Sequence, residues 1–460
     1  MALARRGAAL FLLALVVASV AATGGPAPVA AQSGDDPVRA QGLQWALDLL
    51  GAEDAWERTR GEGITVAIID SGVDLDHEDL AGQVVDHVSC IGAAGDPDRC
   101  RGSGQDDNGH GTHVAGIVAA RAGNGRGIAG VAPGARLLAV RVLADRCRAD
   151  GCHAEGTAAD VIAGIRWAVD HGADVINLSL GGGALQSALG CAFCDAIEEA
   201  WAQGVISVVA AGNDAILPSG FGSTPAVVVT ATTRDDTRAS YSNRNDSILQ
   251  GARWPVAAPG GEEEDDPADC ATGGEPRGIV STYLGDGPGG YACLAGTSMA
   301  APHVAGALAL LRSAGLGPEA AIDRLLATTV DLGPAGRDAT FGFGRIDLAA
   351  AMHRLTATAD GAADPAAAAS STTEAPPATA PAPGSTAPAP PPAPTSEPAA
   401  PEPEVVTPDT QLAAPFTPEA PAVDGATQEV PAWLTALTVI GVVVTGAWTL
   451  VLAARVWQEG

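Results

Sequence analysis

The sequence predicts an α/β protein with a doubly wound, mostly parallel β-sheet and helices on both of its faces. Two observations lead to this fold class: apolar segments of strand length alternate with helical patterns, and these segments are not divided into a polar and an apolar face. Strands that are apolar on both faces are typical of a parallel sheet that lies between two layers of helices.

The predicted elements follow one another within residues 32–356, where no linker-like segment marks a boundary, so we predict a single large domain. The predicted strands are Ile64–Asp70, Leu137–Val142, Val175–Leu180, Val205–Ala210 and Val227–Ala231. The predicted helices are Ala158–Asp170 and Ala192–Gln203. Since 47% of the residues are apolar but only 4% are aromatic, we expect a core built mainly from Ala, Val, Leu and Ile.

The charge of the chain limits its partners. It has 460 residues, a formal net charge of −29 and no lysine. Nucleic-acid binding requires a basic face, so this charge argues against a nucleic-acid partner. The charge favours solubility and carries no information about the fold.

The N-terminus has the pattern of an export signal over residues 1–31. Arg5 and Arg6 precede the apolar segment Ala8–Val20, which is short for a membrane span, and the small residues up to Ala31 are suited to cleavage. The pattern therefore predicts an exported protein, and a retained signal anchor is the alternative.

The composition changes after residue 356. Residues 357–431 are dominated by Pro, Ala, Thr and Ser and are predicted to be a disordered or polyproline-like linker, since they offer too little apolar surface for a core. Residues 432–454 then form an uncharged segment long enough to span a bilayer, followed by a short tail at 455–460. This order predicts a single-pass protein of the cell membrane, with domain 32–356 extracellular and the tail cytoplasmic.

The cysteines predict disulfide bonds. There are eight of them, an even number that fits an oxidising compartment. Their spacing is local, and pairing of neighbours is the simplest of many connectivities: Cys90–Cys100, Cys147–Cys152, Cys191–Cys194 and Cys270–Cys293. A zinc site at Cys191 and Cys194 is the alternative, but no second pair stands at metal-ligand spacing.

Three polar residues stand where predicted strands end or helices begin, which is the edge of a parallel sheet at which catalytic groups gather. Asp70 ends its strand, His110 precedes a helical segment, and Ser298 begins a long apolar helix. A serine hydroxyl is weakly nucleophilic until a base takes its proton. We therefore predict that Asp70 orients His110 and that His110 activates Ser298 at the positive end of the helix. The alternatives are a turn aspartate, a structural histidine and a helix-capping serine.

Two further side chains invite a chemical interpretation. Asn213 lies in the segment VVAAGND, at the end of a predicted strand, and its amide is suited to donate a hydrogen bond to the oxyanion of a tetrahedral intermediate. His113 lies three residues after His110 and resembles half of a metal-ligand pair. No third ligand stands nearby in the sequence, so local packing is the alternative for His113.

Five motifs resemble those of the subtilisin-like serine proteases, or subtilases. They are IIDSGVD, NGHGTHVAG, NLSLGG, AAGN and GTSMAAPHVAG, in the family's order, and FGFGRIDLAAA resembles the family's closing segment. The resemblance implies a subtilisin-like fold and a serine endopeptidase that needs no catalytic cofactor. It also implies Asp70, His110 and Ser298 as the catalytic triad, with Asn213 as the oxyanion donor.

The same resemblance implies a binding edge for protein or peptide substrates. Ser179, Leu180 and Gly181 are expected to offer an edge strand to which a peptide adds by backbone pairing. Gly212, in the motif AAGN, is the fourth residue assigned to substrate binding.

A structural calcium site is a further implication of the resemblance. The segment GVDLDHEDL and the loop AARAGNGRGIAGVAP correspond to the two parts of a calcium site in the family. The implied ligands are the carboxylates of Asp79 and Asp36, the side chain of Asn124, and the carbonyls of Arg126 and Ile128. These oxygen donors suit a hard cation, and a plain glycine-rich turn is the alternative.

The sequence departs from many subtilases at the place of their prodomain. Only about a dozen residues separate Gln32 from Trp45, too few to fold alone. We expect a monomeric domain that folds without a prodomain and carries this arm packed on its surface. The order of segments also resembles the mycosins, processing proteases of type VII secretion systems. The implied calcium site and the lack of a cysteine in the arm favour a thermitase-like domain, and an idle peptide-binding scaffold is the alternative from another class.

Overall fold

The computed structural model describes residues 36–148, 151–182, 191–215, 219–245, 251–262, 275–285, 290–353, 355 and 405–408. The predicted signal peptide (1–31), membrane span (432–454) and tail (455–460) lie outside the described residues, as does most of the linker predicted over 357–431. Among the described helices, none is long and apolar enough to cross a membrane.

The described residues form strands and helices in the alternating order that the sequence predicts. The strands are β1 (Thr65–Asp70), β2 (Val84–Ser89), β3 (Arg136–Arg141), β4 (Ala144–Arg148), β5 (Gly151–Thr157), β6 (Val175–Leu178), β7 (Leu180–Gly182), β8 (Ile206–Ala210), β9 (Ala226–Thr232), β10 (Trp254–Pro259), β11 (Ile279–Thr282), β12 (Tyr291–Leu294) and β13 (Val405–Pro408). The helices are α1 (Pro37–Ala40), α2 (Trp45–Leu50), α3 (Ala52–Trp56), α4 (His110–Ala119), α5 (Ala158–Asp170), α6 (Cys194–Ala202), α7 (Thr297–Ser313), α8 (Pro318–Ala327) and α9 (Leu348–His353).

Seven of the strands form a parallel sheet in the order β10-β9-β8-β6-β1-β3-β2. The interior strand β1 buries all six residues, and its side chains alternate between two hydrophobic clusters. Val66 and Ile68 join the cluster that contains α4 and α7, whereas Ala67 and Ile69 join the one that contains α5 and α6. The predicted α/β fold with a parallel sheet between two helical layers is therefore confirmed.

The predicted strands are present within one or two residues of their expected ends, but several elements were not predicted. The apolar run Val175–Leu180 is divided between β6 and β7, and β2 and β10 complete the sheet. Strands β4 and β5 form an antiparallel hairpin, as do β11 and β12. These strands are short or polar, so no apolar run or alternation marks them in the sequence.

One strand lies within the segment that the composition assigns to an unstructured linker. β13 belongs to the same compact unit as the main sheet and joins a four-stranded sheet in the order β4-β5-β13-β7. The linker prediction is thus corrected for Val405–Pro408, because backbone pairing to two strands satisfies groups that an isolated Pro-rich segment would leave to solvent.

The N-terminal arm packs on the domain from Asp36 onward, as expected. The side-chain amide of Gln44 exchanges hydrogen bonds of 2.7 and 2.9 Å with the backbone of Ala129. The indole of Trp45 donates to the carbonyl of Gly278 at 3.0 Å. These buried polar contacts fix the arm on the domain.

Two predicted disulfides are confirmed, Cys90–Cys100 and Cys191–Cys194, and the second excludes a zinc site at that pair. Cys147 and Cys152 occupy directly opposed backbone positions of the β4–β5 hairpin. Cys293 is disulfide-bonded, and its predicted partner Cys270 lies outside the described residues.

Candidate active site

The candidate catalytic residues lie at the carboxyl edge of the sheet, where the strand order changes direction. β1 pairs with β3 on one side and β6 on the other, so the chain leaves β1 and β6 at a topological switch point. Asp70 is the last residue of β1, and Ser179 follows β6 directly. His110 is the first residue of α4, and Ser298 is the second residue of α7.

Asp70 and His110 form a buried pair. Nδ1 of His110 lies 2.7 Å from Oδ1 of Asp70, and the two side chains are 1% and 0% exposed. The backbone amide of Ser71 donates to the same carboxylate oxygen at 2.7 Å. Since Nδ1 donates to the carboxylate, Nε2 is the acceptor nitrogen, and among the described residues it has no hydrogen-bond partner.

The start of α4 is held by Asp106, a residue that the sequence analysis did not single out. Its carboxylate accepts from the amide of Thr112 at 3.0 Å and from the Thr112 hydroxyl at 2.6 Å. It also accepts from the amide of Asn108 at 2.9 Å. An acidic residue shortly before a helix start is a recognisable signal for such a cap.

Glycine at position 111 allows α4 to approach β1 closely. A Cβ atom there would lie 2.1 Å from the carbonyl oxygen of Gly72, which is backbone and unable to move aside. The amide of Gly111 donates to the hydroxyl of Ser71 at 2.9 Å. The two contacts fix His110 above the end of β1.

Ser298 is buried, and its hydroxyl donates to the carbonyl of Ser179 at 3.3 Å. The reverse bond runs from the Ser179 hydroxyl to the Ser298 carbonyl at 2.8 Å. That carbonyl lacks its helical partner because Pro302, four residues on, has no amide hydrogen. The N-cap of α7 is Gly296, so the capping alternative for Ser298 does not apply.

The structure therefore unites Asp70 and His110 directly and places the Ser298 hydroxyl on Ser179 rather than on the imidazole. Catalytic hydrogen bonds of this kind often form or tighten only when substrate is bound.

The side chain of Asn213 is oriented by the residue next to Ser298. Its amide oxygen accepts from the backbone amide and from the hydroxyl of Thr297, both at 3.0 Å. These two bonds identify the oxygen end of the amide, so the nitrogen end is the one able to donate. Gly212 lies beside it and donates its amide to the same Thr297 hydroxyl at 3.2 Å.

The predicted substrate-binding edge, which includes β7, is paired with another strand of the same chain. Leu180 and Gly181 belong to β7, which pairs in antiparallel register with β13, and β13 pairs in the same manner with β5. Sequence reasoning missed β5 because its segment GCHAEGT lacks an apolar alternation. Ser179 joins this edge to the nucleophile candidate through the two bonds described above.

His113 has a structural role, not a metal-binding one. Its Nε2 atom lies 3.0 Å from the carbonyl of Ile279 and 3.2 Å from that of Ala292, which ties α4 to the β11–β12 hairpin. Burial, together with the neighbouring His110, lowers the pKa of His113 to about 3, so the ring is neutral at physiological pH. The packing alternative for this residue is the one that the structure supports.

The five residues implied as calcium ligands come together around one loop. Oδ1 of Asp79 accepts from the Asn124 side chain at 2.8 Å, and Oδ2 accepts from the amide of Ile128 at 2.8 Å. Burial raises the pKa of the Asp79 carboxyl despite these bonds. The Asn124 side-chain oxygen accepts from the amide of Arg126 at 2.8 Å.

Asp36 closes the other side of this loop. Its carboxylate accepts from the amides of Gly123, Asn124 and Gly125 at 2.7, 3.0 and 3.2 Å. Within the described residues there is no cluster of three or more His, Cys, Asp or Glu side chains that could hold a metal ion. A cation here would therefore rely on two carboxylates supplemented by amide and carbonyl oxygens.

A serine at a helix start, a histidine oriented by a buried carboxylate and an amide donor next to the serine define a serine hydrolase. Comparison with known proteins agrees: the profile of the subtilase family matches residues 61–344. The chain belongs to the subtilase family. It is a serine endopeptidase, a hydrolase that acts on protein or peptide substrates.

Its relatives include well-known proteases. The chain is 38% identical to thermitase of Thermoactinomyces vulgaris over 274 residues, 59% of this chain and 83% of thermitase. It is 35% identical to subtilisin DY of Bacillus licheniformis over 323 residues, 68% of this chain and 99% of that protein. A solved protease structure from Pseudoalteromonas arctica matches with a TM-score of 0.55 at 30% identity, covering 70% of this chain and 99% of the solved one.

Proposed function

We propose that the protein is a membrane-anchored extracytoplasmic endopeptidase in which Ser298 is the nucleophile and His110 the general base. The contact of 2.7 Å between His110 Nδ1 and Asp70 Oδ1 is the observation that carries the catalytic assignment. It fixes the imidazole with its acceptor nitrogen available for a hydroxyl, and the buried carboxylate stabilises the imidazolium that forms.

The chemistry begins when the Ser298 hydroxyl turns from the Ser179 carbonyl toward Nε2 of His110. The oxygen attacks the scissile carbonyl carbon while the imidazole accepts the proton, and a tetrahedral oxyanion forms. The Asn213 amide and the N-terminal end of α7 then donate to the developing negative charge. Collapse expels the amine, which takes its proton from His110, and water releases the acyl group by the same steps in reverse order.

The substrate is proposed to bind as an extended strand. Ser179, Leu180 and Gly181 provide one edge and β5 the other, so main-chain hydrogen bonds supply affinity with little dependence on side chains. Gly212 lies at the nucleophile end of this cleft, where its small size leaves space for the residue that precedes the cleaved bond. This arrangement fits an endopeptidase whose protein substrate must present an unfolded or loop segment to the cleft.

We also propose a structural calcium ion held by Asp79, Asp36, Asn124 and the carbonyls of Arg126 and Ile128. The donors are oxygens, as Ca²⁺ requires, and the amide of Asn124 presents oxygen to a cation after a simple flip. When bound, the ion would tie the N-terminal arm to the loop after α4 and would take no part in the bond cleavage. This assignment and the relation to thermitase favour a thermitase-like domain over a mycosin.

Anchoring is proposed from the sequence segment 432–454, with the peptidase domain outside the cell. In the Ser298→Ala background, the full chain is expected in the membrane pellet after alkaline extraction, whereas a chain ending at residue 431 is expected in the supernatant. Recovery of both in the supernatant contradicts the anchor.

Covalent labelling of the full chain with a fluorophosphonate tests the catalytic assignment. We expect the wild type to be labelled and Ser298→Ala to remain unlabelled. Ser313→Ala, the same substitution at the far end of the same helix, is the matched control and should be labelled like the wild type. Labelling of Ser298→Ala, or none of the wild type, contradicts the proposal.

A further inference from the structure

The cleft described above contains a strand of the same chain. β13 pairs with β7 through Val406 opposite Gly182, Thr407 opposite Gly181 and Pro408 opposite Leu180. Its other side pairs with β5, where Val405 lies opposite Thr157. The segment therefore fills the place that the proposed function gives to a peptide substrate.

The pairing of β13 with β5 and β7 requires an extended backbone. β5 and β7 belong to one sheet only through β13, which is antiparallel to both. The segment Val-Val-Thr-Pro consists of three β-branched residues and a proline, which favour extended backbone without any neighbour. A segment with these properties loses little conformational entropy when it enters a strand-shaped cleft.

The direction of β13 carries the chain toward the nucleophile. Its register passes from Gly182 to Leu180 as the chain proceeds from Val406 to Pro408. The next residue of the cleft strand is Ser179, whose carbonyl accepts the Ser298 hydroxyl. The register of β13 therefore runs toward Ser179, the residue that contacts Ser298.

The linker is long enough for the segment to return from the end of the domain. Residues 356–404, which connect the domain to β13, number 49. Extended, they span on the order of 160 Å, whereas a domain of this size has a radius of gyration of about 20 Å. The linker is therefore long enough for β13 to enter the cleft of its own molecule.

From these observations we infer that the protein is its own substrate, with a self-cleavage site immediately C-terminal to Val405–Pro408. The inference rests on the proposed function. Ser298 attacks the carbonyl carbon of a bond that follows Pro408, most directly Asp409–Thr410, while His110 accepts its proton. His110 returns a proton to the departing amine, and water then hydrolyses the acyl-enzyme to a free carboxylate. The reaction separates the catalytic domain from residues 416–460.

The test uses the purified full chain in detergent, followed by intact mass spectrometry and N-terminal sequencing. We expect the wild type to yield a fragment whose new N-terminus lies within residues 409–412 and Ser298→Ala to stay intact. Thr407→Pro removes one backbone donor from β13 and should slow cleavage at least tenfold while fluorophosphonate labelling is unchanged. Thr395→Pro, the same substitution elsewhere in the linker, should be cleaved like the wild type.

The rate should be first order and independent of protein concentration over a hundredfold range. An intact wild type, equal cleavage of the two proline variants, or a rate proportional to concentration overturns the inference. The labelling measured on the same samples separates two failures. An intact chain that is labelled overturns self-cleavage alone, and an intact chain that is not labelled overturns the proposed function as well.

Discussion

The Nδ1 atom of His110 lies 2.7 Å from Oδ1 of Asp70, at a point where both side chains are shielded from water. A carboxylate in this position fixes which imidazole nitrogen carries the proton. The opposite nitrogen is then an acceptor, as a general base requires. The strength of this orientation can be measured by removing the charge while keeping the shape.

Asp70→Asn should lower kcat by about four orders of magnitude with little change in KM, because the amide favours the wrong imidazole tautomer. A fluorogenic peptide assay on the full chain measures both constants. Asp107→Asn is the control, since this exposed carboxylate lies three residues from His110 and pairs with Arg141 instead. A loss of less than tenfold in Asp70→Asn would show that the pair is structural.

Asn213→Ala should lower kcat by about 10²–10³-fold with KM nearly unchanged, because its amide is assigned to a charge that exists only in the transition state. The matched variant is Thr297→Val. It keeps the backbone bond to the Asn213 oxygen and loses the two bonds of the hydroxyl, one to that oxygen and one from the Gly212 amide, so its kcat should fall by less than tenfold. Steady-state kinetics on both variants measure kcat and KM. A rise in KM without a fall in kcat for Asn213→Ala would assign Asn213 to substrate binding.

The sequence predicts the parts of the fold that local patterns control. β1 and its neighbours are buried on both faces, so their apolar runs are visible in the chain itself. Asp70 is visible for a related reason, since a carboxylate that ends such a strand needs a partner. The motifs around His110 and Ser298 then indicate the remaining candidate catalytic positions through their resemblance to the subtilases.

Other parts of the site depend on pairs of distant residues. The bond of 2.8 Å from Ser179 to the Ser298 carbonyl joins positions 119 residues apart, and its cause, the missing amide of Pro302, becomes clear only in three dimensions. Likewise β13 has the composition of a polyproline-like linker, and only the gap between β5 and β7 gives it a strand conformation. Composition describes a segment in isolation and does not show which strands it pairs with in the fold.

Removal of calcium should destabilise the domain if the loop around Asp79 and Asp36 holds the ion. A ligand at 1,000 times its dissociation constant contributes about 4 kcal/mol, so a chelator should lower Tm by several degrees. Differential scanning fluorimetry of the Ser298→Ala chain, which avoids self-digestion, measures the shift.

Two substitutions in that background isolate the site. Asp79→Asn should lower Tm in calcium and make it insensitive to the chelator. Asp323→Asn, at an exposed position on α8, should respond to the chelator like its parent. Equal Tm values of the parent with and without calcium would contradict the site.

The buried His303 should make the domain less stable in mild acid. Burial lowers its pKa to about 4, although Nδ1 lies 2.8 Å from the carbonyl of Met299, whereas in the unfolded chain it titrates near 6.5. The unfolded state therefore binds more protons between these values. Stability is complete above about pH 6.5 and is lost as the pH falls, by about 1.4 kcal/mol per unit and about 3 kcal/mol in all.

Denaturant unfolding of the Ser298→Ala chain between pH 7.5 and 4.5 measures this slope, and His303→Asn should reduce it by about one proton. His303→Asn still contains His113, whose pKa is lowered to about 3 by burial. A similar loss of stability in acid, caused by His113, should therefore remain in that variant. His353→Asn serves as the exposed control and should leave the slope unchanged. Parallel pH profiles for His303→Asn and its parent would mean that the ring is protonated in the folded domain, in which case its contact with Met299 would be charge-assisted.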